Sequence, residues 1–577
     1  MGQTESKVVA AIDFGTTYTG FAYAFSENTS SIVTGKQGTF LKDDRVPTVV
    51  LLDPNGTFSK FGIDAEDTYA SLSLETRHGG YKLFERFKML LYMESDKLNR
   101  YQTINDTEGR PMKALDLFSI VIEHLKELAI KSMIEGKSGE TNRIEERVIW
   151  MLSIPAIWSD SARQFMRLAA INAGIQEKQL RLVLEPEAAA LFCKEQLLQI
   201  TRSSDVSKLP AGTKYILADL GGGTVDICVH KILTSGRIEE LYRATGGAFG
   251  GTKVNKEFEE FLTKVVDKET WEQFKSKERY DYLRITREFE EEKTKFDLKN
   301  SVNFVINLPQ SLISMLKKDH IESIVEKLNK SHMFRSVSVK DNKLICSKDV
   351  MAGFFKSSLI DGILPKLHEI NMHCAKDNIN IVLVVGGYAE SQYVRDKIKE
   401  EMSKMKVVLV EQPRLAVLKG AVMMGFEPEN TIRRRSRYTY GFAVAVPFVE
   451  GLHPSHLKFK REGRILCKDI FSKLFEKDSL LRYGRSFQIT TSDTLEMPES
   501  KRTKVRVSLY RSSSNDPKYI TDEGCLEAGE IIINPPYNGW PDQVDIDHVL
   551  IVGETEFTVR AVDRSSSTEY DTYVDFL

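Results

Sequence analysis

Paired cysteines are missing from this sequence. Its six cysteines (Cys193, Cys228, Cys346, Cys374, Cys467 and Cys525) are scattered over 577 residues, with no Cys-x-x-Cys spacing. This pattern excludes a disulfide framework and a thiolate zinc site, and it fits reduced thiols in a cytoplasmic protein. Long apolar runs are also missing: none reaches the ~18 residues needed to cross a bilayer. The N-terminus lacks the basic-then-apolar order of a secretory signal. Neither charge sign dominates, since 80 Lys plus Arg against 82 Asp plus Glu leaves a net charge of −2. That balance removes the electrostatic footprint of a nucleic-acid binder. The opening "MGQTESK" does fit one lipidation pattern, with Gly2, Ser6 and a basic Lys7. Myristoylation of Gly2 would give weak, reversible membrane attachment, and a short tail can match the pattern by chance.

The length calls for more than one domain. Up to about Gly425, apolar strands repeatedly feed glycine turns and helices, an α/β texture. "KVVAAIDFGTTYTGFAYAF" reads as a hairpin. "LLDPNGTF" supplies turn chemistry for another at Asp53–Gly56. "RVIWMLSIP" is a buried strand, and "SDSARQFMRLAAINAGI" is a helix capped at Ser159/Asp160 and ending near Gly174. "LRLVLEPEAAALFCKE" reads as strand, turn and helix, and a long polar helix is expected within Lys277–Leu298. After "PENTIRRRSR" the chain alternates with period two between turns. The expected organisation is a tail at 1–7, an α/β domain at 8–431 and a smaller β-rich domain at 432–577.

One string occurs twice. "AAIDFGTTYTG" and "ILADLGGGTVD" both place Asp-x-Gly and Thr at the end of an apolar strand, with Asp13 and Asp219 separated by 219 − 13 = 206 residues. Such self-similarity points to two related halves facing each other. Glycine lets backbone N–H groups approach an anion closely, and Thr adds hydroxyl donors. Asp13 and Asp219 at strand ends can hold the waters of a Mg²⁺ ion. A single such string is consistent with a tight hairpin alone. Three consecutive glycines inside a strand-like run, however, need a reason.

At this point a family resemblance emerges. "AIDFGTTYTG" and "ADLGGGTVD" resemble the two phosphate loops of the superfamily of actin, sugar kinases and seventy-kilodalton heat-shock proteins. "LEPEAAAL" and "AVLKGAVMMG" resemble its connecting motifs, and "VLVVGGYAES" resembles its adenosine motif. All five occur in family order from Val8 to Gly425. "SIPAIWSDSARQFMRLAAINAGI" matches the heat-shock branch, while "FERFKMLLY" and the C-terminal "TEFTVRAVDRSSSTEYDTYVDFL" are most similar to its divergent 12A and 12B type. The resemblance implies a duplicated, two-lobed actin-like (ribonuclease H-like) ATPase domain followed by a β-rich C-terminal domain.

It also implies roles. Gly15, Thr16, Thr17 and Tyr18 would surround the β- and γ-phosphates of ATP or ADP, with Gly221, Gly222, Gly223 and Thr224 opposite. Asp13 and Asp219 would stand by Mg²⁺ through water. Glu185 and Asp226 would orient the attacking water. Lys88 would steady the γ-phosphate by neutralising charge, with Lys82 as the competing choice. Glu290 and Lys293, three apart on one helix face, would hold the ribose and base edge, and Gly386, Gly387 and Tyr388 would form the adenosine turn.

Four departures stand out. Tyr388 occupies a family serine position, and Thr294 stands where the family has arginine, removing a contact to the base. The link "PENTIRRRSRYTYG" is basic rather than apolar, with less reason to dock in an apolar groove. After "YVDFL" no helical lid is expected. The expected function is a weak ATPase of chaperone type that meets a protein client or signalling partner through its β-domain. A nucleotide-stabilised scaffold and a small-molecule kinase are the alternatives.

Overall fold

A computed structural model of the chain describes residues 7–36, 44–74, 79–94, 97–136, 144–200, 210–300, 303–316, 337–427, 433–461, 463–494, 499–553, 555–564, 566–570 and 572–577. Gly2, Ser6 and the boundary expected between 431 and 432 lie outside them.

The apolar opening run forms β1 (Val8–Phe14), buried along its whole length. The glycine turn returns the chain as β2 (Tyr18–Phe25), antiparallel, with Asp13 opposite Gly20. Short strands β3 (Val33–Thr34) and β4 (Val46–Pro47) pair with β2. On the other side β5 (Val148–Ile154) and β6 (Leu180–Leu184) add in parallel, giving the order β6-β5-β1-β2-β3. Between β5 and β6 runs α1 (Asp160–Asn172), whose cap is Ser159: its side chain accepts from the Ala162 N–H at 3.2 Å and satisfies one free donor of the first turn.

A second sheet repeats this plan. It contains β7 (Lys214–Leu220), β8 (Val225–Ile232), β9 (Ile238–Gly247), β10 (Ile381–Val385) and β11 (Lys406–Leu409), in the order β9-β8-β7-β10-β11. β7 pairs antiparallel with β8 and parallel with β10, as β1 does with β2 and β5. The sequence repeat is therefore the central hairpin of two matching sheets. In the second hairpin Asp219 faces Asp226, the register position that Gly20 holds in the first.

Helix α2 (Glu185–Ile200) begins directly after β6, with no intervening turn. Helices α3 (Gly251–Val266) and α4 (Arg279–Lys295) lie on the second half, and α5 (Ala416–Phe426) packs on α2. A side chain at Gly420 would strike the Ala188 carbonyl, so α2 and α5 touch backbone to backbone. Ala188, Ala189, Leu418 and Ala421 share one core with Val9 and Ala11 of β1 and Leu217 and Leu383 of the second sheet. Burial of this common core holds the two sheets together through the helix pair.

After Tyr438 the described elements are strands and short 3₁₀ turns, and among the described residues no α-helix follows α5. Two antiparallel sheets of six and four strands share a core that includes Phe442, Leu509 and Ile531 from one and Ile546, Leu550 and Ala561 from the other. The basic run before them is docked. Arg433 exchanges backbone hydrogen bonds with Ile238 and Glu240 at the edge of β9. β12 (Arg434–Arg435) pairs with Leu480–Leu481. The Arg434 guanidinium donates to both carboxylate oxygens of Glu187, and the Arg435 N–H donates to Glu240 at 2.8 Å. What docks this segment is backbone pairing and carboxylates rather than an apolar groove.

Candidate functional site

A cleft of about 740 Å³ opens between the two central hairpins. All the candidate cleft residues named from the sequence line it except Asp226 and the competing Lys82. The two glycine turns meet across its floor. A side chain on Gly222 would collide with Thr17, and one on Gly223 would come within 2.6 Å of Thr16 Oγ1 and Met89 Sδ. Glycine is required there for close approach. The second turn is braced from behind, since Thr252 N–H donates to the Gly222 carbonyl at 2.8 Å and Gly250 N–H to Gly223 at 3.1 Å. Thr48 braces the first, donating to the Gly15 carbonyl at 2.8 Å.

Behind the turns lies a group of buried carboxylates. Asp13 accepts from Ser153 Oγ at 2.7 Å and pairs with Arg45 at 2.9 Å. Asp219 is pushed well above the ordinary carboxylate range, by burial first and then by Glu185, Asp226 and Asp13. Glu185 is raised by burial, an effect that Lys88 opposes and Asp13 reinforces. Asp226 lies off the cleft wall. It accepts from the Ile157 N–H at 3.1 Å, and burial and then Glu185 push it up to about 7, while the Ile157 N–H, Arg437 and Lys88 pull the other way.

Lys88 sits on a short 3₁₀ turn, Phe87–Met89, and is buried. Its ammonium lies 2.8 Å from Glu185 Oε1 and 5.0 Å from the centroid of the Trp158 ring. Lys82 lies on the strand Lys82–Glu85 and does not line the cleft.

At the far end Lys293 Nζ reaches Glu290 at 2.7 Å and Asn255 Oδ1 at 2.8 Å. Asn255 Nδ2 donates to the same Glu290 carboxylate at 2.9 Å. Burial lowers the Lys293 ammonium, and Glu290 opposes that shift. Gly386 has φ +89°, and a side chain there would strike the Leu220 carbonyl and come within 2.7 Å of Asp219 Oδ1. Only glycine allows this turn to close on β7. Gly387 has open space beside it. Tyr388 is buried; its phenolic oxygen accepts from Ser358 Oγ at 3.1 Å, a donor on a π-helical segment, Lys356–Ile363. Thr294 turns its hydroxyl back to the Glu290 carbonyl at 3.0 Å.

Sequence reasoning missed Arg45, Thr48, Ser153 and Asn255. Arg45 sits in "KDDRVPT", where no periodicity or motif marks it. Asn255 could have been found, because it lies one helical turn beyond the Gly250-Gly251 pair that opens α3. Arg287, bonded to Glu66 at 2.6 Å and Asp67 at 2.9 Å across the cleft mouth, had no signal either. Among the described residues no group of three or more His, Cys, Asp and Glu is arranged to ligate a metal directly, and no helix is long and apolar enough to cross a membrane.

Comparison with known proteins agrees with this geometry. A family described as a domain of unknown function (DUF8340) matches residues 211–412, which span the second sheet. The chain is 30% identical over 631 residues to heat shock 70 kDa protein 12A of Mus musculus, covering 99% of this chain and 91% of that protein. It is 29% identical over 640 residues to heat shock 70 kDa protein 12B of Homo sapiens, covering 100% and 92%. Chaperone protein DnaK of Mycoplasmopsis synoviae is 25% identical over 451 residues, 77% of this chain and 64% of that protein. This relationship implies an actin-like ATPase fold. Matched at 30% and 29% identity along nearly its full length, the chain belongs to the heat shock 70 kDa protein 12A/12B branch of the seventy-kilodalton heat-shock family.

Proposed function

We propose that the chain is a two-lobed actin-like ATPase that binds Mg·ATP in this cleft and hydrolyses it slowly, in a chaperone-like role. The observation that carries the reading is the meeting of two glycine turns, 206 residues apart (219 − 13), over buried acids. In this reading Gly15, Thr16, Thr17 and Tyr18 grip the phosphates from one side and Gly221–Thr224 from the other. Glu290 and Lys293 hold the ribose, and Gly386, Gly387 and Tyr388 frame the base.

The acids fit a divalent cation. Asp13, Glu185, Asp219 and Asp226 face only Lys88 and Arg45 as the cations named among their influences, apart from Arg437 beyond Asp226. A Mg²⁺ ion would neutralise phosphate charge there, with Asp13 and Asp219 holding its waters. Lys88 offsets charge on the transferring phosphoryl group, Glu185 orients the water that attacks in line, and Asp226, off the cleft wall, acts through its coupling to Glu185.

A second reading is a nucleotide-stabilised scaffold with little turnover. It is favoured by the engagement of Lys88 with Glu185 and by the inward turn of Thr294, which offers the base no contact. In either case the strands after Tyr438, at residues 432–577 of the proposed C-terminal domain, carry the surface for a client or signalling partner in the cytoplasm. Single-turnover ATP hydrolysis with Mg²⁺, alongside ATP binding, separates the two. Hydrolysis abolished by Asp219→Ala establishes the ATPase. Binding without hydrolysis establishes the scaffold, and absence of binding rejects both.

A further inference from the structure

A second, smaller cavity of about 110 Å³ lies where the C-terminal strands meet α1, β9 and the docked basic run. Six arginines line it: Arg163, Arg243, Arg434, Arg435, Arg437 and Arg511. The carboxylates in its wall are Asp160, Glu240 and Glu556, and each is engaged elsewhere. Asp160 accepts from the Tyr440 hydroxyl. Glu556 pairs with Arg167, which is not in the wall. Glu240 accepts from the Arg435 and Ala244 N–H groups, and burial pushes it up to about 7, so near neutral pH it carries only part of a charge.

Arg434 is paired with Glu187, whereas Arg163, Arg243, Arg435 and Arg437 have weaker compensation. Arg243 donates to the Arg437 carbonyl at 3.2 Å, Arg435 to the Asp478 carbonyl at 2.7 Å, and Arg437 to the Ile157 carbonyl. Arg163 donates to the Thr555 and Ala156 carbonyls, with Asp160 at 3.9 Å. The Nε atoms of Arg163 and Arg435 are buried with no hydrogen-bond partner. Several guanidinium groups crowded around a cavity, bonded to neutral carbonyls and retaining unused buried donors, cost free energy that an anion recovers.

We propose that this cavity is a binding site for a small phosphate-bearing anion, gripped by Arg163, Arg243, Arg435 and Arg437. Guanidinium forks match the oxygens of a phosphate group, and several of them around one point select a dianion over a chloride. The volume admits one such group and not a nucleotide, whose site needs about 300 Å³ or more. The walls come from distant parts of the chain, so a bound anion ties the C-terminal strands to α1 and β9. Free phosphate and a small phosphomonoester share this chemistry.

The test is a thermal-shift titration of the full chain with inorganic phosphate and, separately, glycerol 3-phosphate, against chloride at matched ionic strength. The expected result is a saturable rise in the midpoint with phosphate. It persists in Lys88→Ala and weakens about tenfold or more in affinity in Arg243→Gln/Arg435→Gln, as loss of charged hydrogen bonds requires. Arg243→Lys keeps most of the effect. A tighter response to glycerol 3-phosphate identifies a monoester as the ligand, and a tighter response to inorganic phosphate identifies the free ion. The proposal is overturned by the absence of a saturable shift. It is equally overturned by a shift that survives the double variant and disappears in Lys88→Ala, which places the anion in the large cleft. Arg243 is exposed, so if the double variant fails to fold, Arg243→Gln alone still reports: unchanged affinity overturns the assignment.

Discussion

Asp226→Asn isolates the electrostatic tension behind the cleft. The side chain is 2% exposed, faces Asp219 across the β7/β8 ladder and accepts the Ile157 N–H at 3.1 Å. Asn keeps the shape and an acceptor oxygen while removing the charge. The Asp226 carboxyl is pushed from 3.8 to about 7, chiefly by burial and then by Glu185. A raised carboxyl means that the folded chain binds the proton more tightly than the unfolded chain. The stability it confers is therefore fully present below about pH 4 and is lost as pH rises through about 7. At ~1.4 kcal/mol per unit over about three units, the loss is at most about 4 kcal/mol. The ionised acid also feeds the upward shift of Asp219, so the variant relieves a neighbour as well.

The assay is urea denaturation between pH 4 and pH 8 without nucleotide or Mg²⁺, followed by tryptophan fluorescence, since Trp150 and Trp158 are buried in this half of the chain. Glu240, raised from 4.5 to about 7 by burial first, slopes the same way in both proteins and cancels in the difference. Across that range the difference in stability should swing toward Asp226→Asn by roughly 2–4 kcal/mol, with the slope m unchanged. Parallel pH profiles for the two proteins refute the reasoning, because they mean that Asp226 is not destabilised by its charge.

Three further outcomes are expected. Gly222→Ala drives a methyl group into Thr17, so ATP affinity should fall about tenfold or more at an overpacking cost of about 1–3 kcal/mol; equilibrium nucleotide binding checks it, and undiminished affinity removes the phosphate cradle from the glycine turns. Lys88→Ala should retain ATP binding and slow single-turnover hydrolysis about 10²–10³-fold; unchanged turnover moves the role to another cation. Glu187→Gln takes the charge from a partner of Arg434, whose side chain is 18% exposed against 4% for Glu187, and should destabilise the chain by about 3 kcal/mol, with earlier release of the C-terminal strands in limited proteolysis; an unchanged melting curve removes the pair from the junction.

The repeat was legible because both copies carry their chemistry inside a strand–turn–strand string, where local pattern and function coincide. β1 and β7 follow from continuous apolar runs that lead into glycine turns, and the helix α1 from its serine cap. Lys88 was legible only through resemblance: it sits on a three-residue 3₁₀ turn, which has no periodicity to read. Arg45 was not legible, because its position against Asp13 comes from folding β4 onto β2. The docking of the basic run was not legible for a related reason. Its partners Glu187 and Glu239–Glu240 stand about 200 or more residues earlier, and polarity alone does not reveal that a charged segment will meet charge of the opposite sign.

The two matching sheets are not chemically equal, and the inequality bears on why both are needed. Equivalent register positions hold Gly20 in the first hairpin and Asp226 in the second. The second hairpin thus supplies two acids, Asp219 and Asp226, against one, Asp13, from the first. The cations come from the other side: Arg45 and Lys88 both belong to the first half, and Lys88 pairs with Glu185 where β6 passes into α2. Separated, the second half would bury Asp219 and Asp226 without a cation, at a cost of several kcal/mol, while the first half already sets Arg45 and Lys88 against Asp13 and Glu185. Closing the cleft sets the acids of the second half beside these two pairs and leaves acid in excess, as the raised Asp219, Asp226 and Glu185 record. That residue of negative charge lies behind turns shaped for phosphate, an anion. Only a ligand that carries its own cation satisfies both, which is why a magnesium-bound polyphosphate, rather than a free one, is the occupant this duplication fits.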